Sequence, residues 1–144
     1  MIDFYFKNNT KQKIPQRYFL FCLKNALEKL GIENPIEVSL IIVDSKAIRS
    51  LNKKYRNKNE ETDVLSFPID LIKPKDIKKF KKNDKIILGD IYICSGFIKK
   101  NSPDNFLDEL KFAFLHGLIH LMGYNHKNKE DRIQWQKTIE KIIN

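Results

Sequence analysis

Three histidines occur in this 144-residue sequence, and all of them fall in one stretch, His116-Gly-Leu-Ile-His120-Leu-Met-Gly123-Tyr-Asn-His126. On a helix, His116 and His120 share one face about a turn apart. Gly123 can end that helix in the left-handed conformation that glycine adopts without strain. The chain can then turn back and bring His126 toward the other two. Three imidazoles converging on one point, with no fourth protein donor beside them, describe a divalent metal site with an open position, the layout of a catalytic zinc centre. The competing reading is incidental: histidine pairs four apart arise by chance, and a lone helical histidine is usually packed or solvated. Against it, the pattern H-x3-H-x5-H uses every histidine in the chain.

The spacing equals that of the metzincin peptidases, H-E-x-x-H-x-x-G-x-x-H, with two losses. Gly117 stands where the glutamate general base should be, and no methionine follows His126 to form a Met-turn. The metal cradle is kept and the peptidase machinery is missing. A helix-interior glycine costs roughly 1 kcal/mol relative to alanine, so Gly117 is expected to leave room beside the metal for a substrate bulkier than an extended peptide. Zinc held by three neutral imidazoles retains its double charge and lowers the pKa of a bound water to about 7. It can equally polarise a phosphoryl oxygen. No general base accompanies the cradle. Asp63 and Asp90 are expected at most as acceptors for a ligand's second N–H.

A net charge of +9 and a pI of about 9.5 suit a polyanionic partner such as RNA. Lysine makes up nearly all of the excess, with arginine only at 17, 49, 56 and 132, and abundant Lys, Asn and Ile are also what an AT-rich genome produces. The charge alone supports both readings. Cys22 and Cys94 form no C-x-x-C pair and are expected as small buried hydrophobes. With no secretory leader pattern and no apolar run near 18 residues, the expectation is a soluble cytoplasmic protein without a membrane partner.

The elements that must carry these residues follow from periodicity. Ile2, Phe4 and Phe6 alternate with polar positions in a first strand. Pro15 suits the first turn of a helix with an apolar face of Phe19, Leu23, Ala26, Leu27 and Leu30, stopped by Gly31. Ile36 to Val43 is a second strand whose far half is buried on both faces. Asp44 or Ser45 caps a second helix carrying Ile48, Leu51 and Tyr55 and ending near Arg56. Thr62 to Pro68 is a third strand, its proline favouring an edge or an end, and Lys73 to Lys85 is a lysine-dense surface loop. Ile86 to Cys94 is a fourth strand, with Gly89 marking a bulge or a close approach. A helix from Ser102-Pro103-Asp104 carries His116 and His120 and is apolar on most sides, hence buried. Asn128 caps a last helix with a weak apolar face of Ile133, Gln136, Lys137 and Ile142. The order β-α-β-α-β-β-α-α, without repeat or linker, predicts one α+β (α/β-like) domain over residues 1–144. Its four-stranded mixed sheet is backed by helices, and a central helix carries the metal ligands.

Four segments in this order, Leu51-Asn-Lys-Lys-Tyr-Arg56, Thr62-Asp-Val-Leu-Ser-Phe-Pro68, Leu88-Gly-Asp-Ile91 and the histidine stretch, resemble the YbeY family of bacterial endoribonucleases, over essentially the whole chain. The resemblance implies a zinc-dependent, single-strand-specific endoribonuclease acting in 16S rRNA 3′-end maturation and ribosome quality control, in association with the small ribosomal subunit. It implies His116, His120 and His126 as the ligands of one Zn2+, and places the family's functionally important arginine at Arg56. A guanidinium fork suits the negative charge that develops on phosphorus oxygens during in-line attack; the competing reading is a surface arginine at a helix end. One departure is Asn125, where the family has aspartate before the last ligand, so a charge near the metal is replaced by hydrogen bonding alone. Two further readings stay open: a zinc hydrolase of amides or small esters, against which Gly117 argues, and an RNA- or ribosome-binding assembly factor whose metal is mainly structural.

Overall fold

Alternating apolar residues make Ile2–Asn8 the first strand, β1, and Ile36–Val43 the second, β2. In the computed structural model, which describes residues 1–144, they pair in parallel, joined by helix α1, Gln16–Lys29. Helix α2 spans Ser45–Arg56, β3 Val64–Pro68, β4 Ile86–Cys94, α3 Ser95–Asn101, α4 Phe106–Leu121 and α5 Lys129–Ile143. The sheet order is β1-β2-β4-β3. Strand β4 runs parallel to β2 and antiparallel to β3, so the sheet is mixed and four-stranded, as expected.

Adjacent residues of one strand point to opposite faces, and the core divides accordingly. Ile42, Ile91, Ile93 and Leu88 pack with α1, α4 and α5 in the large cluster, while Val43, Leu65 and Cys94 pack with Ile48 of α2 in a small one. Helix α2 therefore covers one face of the sheet and α1, α4 and α5 the other. Phe19 and Phe114, both fully buried, meet edge to face at 5.4 Å between centroids and tie α1 to α4. Both cysteines are buried and free, and burial raises both thiol pKa values.

Several local expectations hold for their stated reasons. Asp44 accepts the Ala47 N–H at 2.8 Å and Asn128 the Asp131 N–H at 2.8 Å, capping α2 and α5. Strand β3 lies at the sheet edge with Pro68 at its end. Gly89 does both things foreseen for it. The register slips beside it, leaving Leu88 without a partner on β2, and with φ +137° a side chain there would run into the Phe67 carbonyl.

Others are corrected. The chain after β4 turns at once into α3, a helix of 7 residues too short to announce itself by periodicity. Ser102 caps nothing; Pro103–Asn105 form a 3₁₀ turn and α4 begins at Phe106. Helix α5 buries Trp135, Thr138, Ile139 and Ile142, and Ile133 faces solvent. The lysine-dense loop holds a 3₁₀ turn, Pro74–Lys79, that seats Ile77 in the core.

Candidate metal centre

Helix α4 carries eight buried residues and so fixes whatever it presents. His116 and His120 lie on its C-terminal half, half-buried, with ring centroids 4.6 Å apart. The helix then ends in a Schellman motif. Gly123, at φ +96°, donates its N–H to the His120 carbonyl, and Tyr124 donates to that of Ile119. A side chain at Gly123 would meet the Ile72 carbonyl, so the lysine-rich loop packs directly against this turn. The turn brings exposed His126 back to 5.5 Å from His116 and 5.0 Å from His120, between centroids. One ligand nitrogen from each of the three rings lies within 4.8 Å of the others. The spacing argument from sequence is met in space.

The donor set fits a divalent ion. The Nε2 atoms of His116 and His120 are 2.8 Å apart; tetrahedral zinc with bonds of about 2.0–2.1 Å requires about 3.3 Å, a small opening. His120 Nδ1–H donates to the Tyr124 carbonyl at 2.7 Å, which fixes the tautomer that leaves Nε2 as a lone-pair donor. Burial first, then the neighbouring imidazoles and the Arg56 charge, hold the His116 pKa down to about 4. Burial also lowers His120, partly opposed by the Tyr124 hydrogen bond and reinforced by His126 and Arg56. Both rings are neutral at physiological pH, the form that binds a metal.

Arg56 comes from the other side of the sheet. It is the last residue of α2, which stops because Asn57 adopts the left-handed conformation at φ 59°. The buried Asn52 side chain donates to the Glu60 carbonyl at 3.0 Å and holds the loop returning to β3. From there the exposed guanidinium is close enough for its charge to depress both His116 and His120.

Three expectations change. Gly117 faces the sheet rather than the metal: an added methyl would sit 3.0 Å from the Ile91 Cγ2 and 3.3 Å from that of Val64, so the glycine lets α4 approach β3 and β4. Neither Asp63 nor Asp90 takes a ligand's N–H. Asp63 accepts from the Val64 N–H and the Thr62 hydroxyl, and Asp90 lies on the α2 side of the sheet, opposite Phe67 in the ladder. The partner of His120 is a backbone carbonyl, which no side-chain pattern reveals. Asn125 accepts the Lys127 N–H at 3.0 Å through Oδ1, a turn aspartate makes equally well, so the departure from the family removes a charge and leaves the loop geometry.

Sequence reasoning missed the aromatic wall. Trp135 of α5 is buried, with ring centroids 4.4 Å from His126 and 5.0 Å from His116. Its indole Nε1 has no hydrogen-bond partner. Phe112 closes the wall 6.0 Å from His116 and 6.4 Å from Trp135. Phe112 was discoverable, standing four residues before His116 on the same helix face. Trp135 had no local signal.

A four-stranded mixed sheet with three converging histidines on a helix of one face and an exposed arginine ending the helix of the other defines a class of small α+β proteins with a donor set that could hold a metal ion. Residues 4–144 match the family model of the endoribonuclease YbeY, and the chain belongs to that family of hydrolases acting on RNA. The endoribonuclease YbeY of Staphylococcus epidermidis is 37% identical over 123 residues, 83% of this chain and 78% of the relative. That of Buchnera aphidicola subsp. Schizaphis graminum is 36% identical over 140 residues, 94% and 79% of the two chains. The solution structure of TM1509 from Thermotoga maritima has the same fold, with a TM-score of 0.56 at 24% identity over 96% of this chain and 88% of that one. No helix is long and apolar enough to cross a membrane.

Proposed function

We propose that the chain, as one domain over residues 1–144, is a zinc-dependent, single-strand-specific endoribonuclease. It acts in the cytoplasm on the 3′ region of 16S rRNA, in rRNA maturation and ribosome quality control, in association with the small ribosomal subunit. The observation that carries this reading is the convergence of His116, His120 and His126 at one point, with the Arg56 charge felt at the same two inner rings. The three histidines are the ligands of one Zn2+, which when bound supplies Lewis-acid polarisation of phosphate and an activated water at neutral pH. Tyr124 orients His120 through its carbonyl. The Trp135 and Phe112 rings line the inner side and exclude water from it. His126, the exposed ligand, marks the side from which RNA enters. Arg56 binds the phosphate undergoing attack and offsets its growing charge through the guanidinium fork.

The test pairs metal content with cleavage. Wild type and His116→Ala are purified without added metal, assayed for zinc, and given a single-stranded RNA carrying the 16S 3′ end. The expected result is about one zinc per wild-type chain, and loss of zinc and cleavage in a variant that keeps its far-UV circular dichroism. Stoichiometric zinc in a wild type that never cuts would favour an assembly factor with a structural metal. No zinc even after reconstitution would overturn the reading. The product ends identify the nucleophile, since attack by the ribose 2′-OH leaves a 2′,3′-cyclic phosphate and attack by water does not.

A further inference from the structure

Tyr55 sits at helical spacing from the core residues Ile48 and Leu51, yet 57% of its surface is exposed. Its ring lies beside Phe67 of the edge strand, with centroids 5.0 Å apart and planes at 61°. Phe67 in turn meets Tyr92 of β4 at 5.7 Å, again edge to face. The three rings form a row across the α2 side of the sheet, partly buried at Tyr92 and Phe67 and open at Tyr55. Lys53, Lys54, Arg56 and Lys58, the cations nearest Tyr55 in sequence, are all exposed, and the Lys54 ammonium stands over the Tyr55 ring, 5.2 Å from its centroid. The carboxylate whose charge is felt in the row is Asp90, at its inner end beside Tyr92.

An exposed aromatic ring with an ammonium over it and further exposed cations beside it in sequence suits a flexible polyanion that carries flat apolar groups. Single-stranded nucleic acid fits that description, because its bases are free to leave one another and stack on a side chain while its phosphates meet the lysines. A paired duplex cannot offer a base in this way. The position is also apt. Arg56, the next residue along the chain, ends α2. Phe67 beside Tyr55 belongs to β3, and α4 packs on that strand with Gly117, the neighbour of His116, against Val64, so an RNA crossing the edge of β3 runs from the aromatic row toward the cradle. Resting on the reading of RNA as substrate, we infer that Tyr55, backed by Phe67 and Tyr92, is a nucleobase-stacking platform that holds a base flanking the cut. It thereby contributes to the preference for single strands.

The test isolates bases from phosphates. The full chain, with metal left as purified, is mixed with a fluorescein-labelled octaribonucleotide or with the same backbone made abasic, and anisotropy is read within seconds, ahead of cleavage. The wild type should bind the base-bearing strand roughly ten-fold more tightly, within the range for stacking on one aromatic side chain. Tyr55→Phe should keep that ratio. Tyr55→Ala should reduce it toward one, as should Tyr55→Leu, which retains an apolar contact on Phe67 without a π face and guards against a packing artefact. Equal wild-type binding of both strands would overturn the platform and leave RNA binding intact, pointing to a protein-docking role for the aromatic row. A Tyr55→Ala variant that still discriminates would overturn it too, placing base contacts elsewhere. Failure of the wild type to bind either strand would overturn the platform together with the RNA reading beneath it.

Discussion

Arg56 and His116 are opposites in their surroundings, and that contrast separates catalysis from stability. Arg56 is exposed, at the end of a helix whose cap and loop are held by other residues. Arg56→Ala should lower kcat on RNA by on the order of 10²–10³, the usual loss when one preorganised charge-stabilising donor is removed. Its melting temperature should stay within a degree or two of wild type. Arg56→Lys should recover only part of the rate, because a compact ammonium lacks the planar fork. Steady-state kinetics beside thermal melts checks both, and an Arg56→Ala enzyme of normal kcat would remove Arg56 from the reaction. His116, by contrast, is half-buried among Phe112, Trp135 and two other imidazoles. Burial, the neighbouring imidazoles and Arg56 hold its pKa down to about 4, so at neutral pH an arriving ion meets a neutral imidazole there and no imidazolium charge.

At the scale of elements, the central fact is how closely α4 lies against β3 and β4, and Gly117 is what permits it. Gly117→Glu, which would complete the metzincin sequence pattern, pushes a carboxylate into the Ile91 and Val64 side chains, where it has no partner and burial of its charge costs several kcal/mol. The variant should be insoluble or unfolded and show no peptidase activity. Gly117→Ala should be milder, because a gain in helix propensity of about 1 kcal/mol works against an overpacking cost of typically 1–3 kcal/mol. A fall of a few degrees in melting temperature is expected, and a rise would show that α4 can lift off the sheet freely. The same element shows what the sequence could and could not tell. Rarity and spacing located His116, His120 and His126, and period-two alternation located β1 and β2, because these are local properties. Gly117 was visible as an anomaly, but its orientation depends on which face of α4 meets the sheet. Trp135 and the Tyr124 carbonyl enter the site only through the docking of α5 and the turn at Gly123, and α3 is shorter than the helical period needs to show itself.

Lys85 reaches Asp3 at 3.0 Å and Glu37 at 2.9 Å, linking β1 and β2 to the approach to β4, and the two carboxylates raise its pKa through hydrogen bonds. Being exposed, this pairing adds little stability; the large apolar cluster holds the sheet to α1, α4 and α5. Within that arrangement the chain has a single tryptophan, and it forms the wall beside His126 and His116. The protein therefore carries an internal optical gauge. Ultraviolet emission excited at the indole reports the ion cradle rather than an average over the fold. Titrating metal-free protein with Co2+ or Cu2+, which quench nearby fluorophores, should extinguish most of the emission at one equivalent. His126→Ala should blunt the effect. During denaturation the glow should change no later than the far-ultraviolet dichroism, and an earlier change would mark the cradle as the first part of the molecule to come undone.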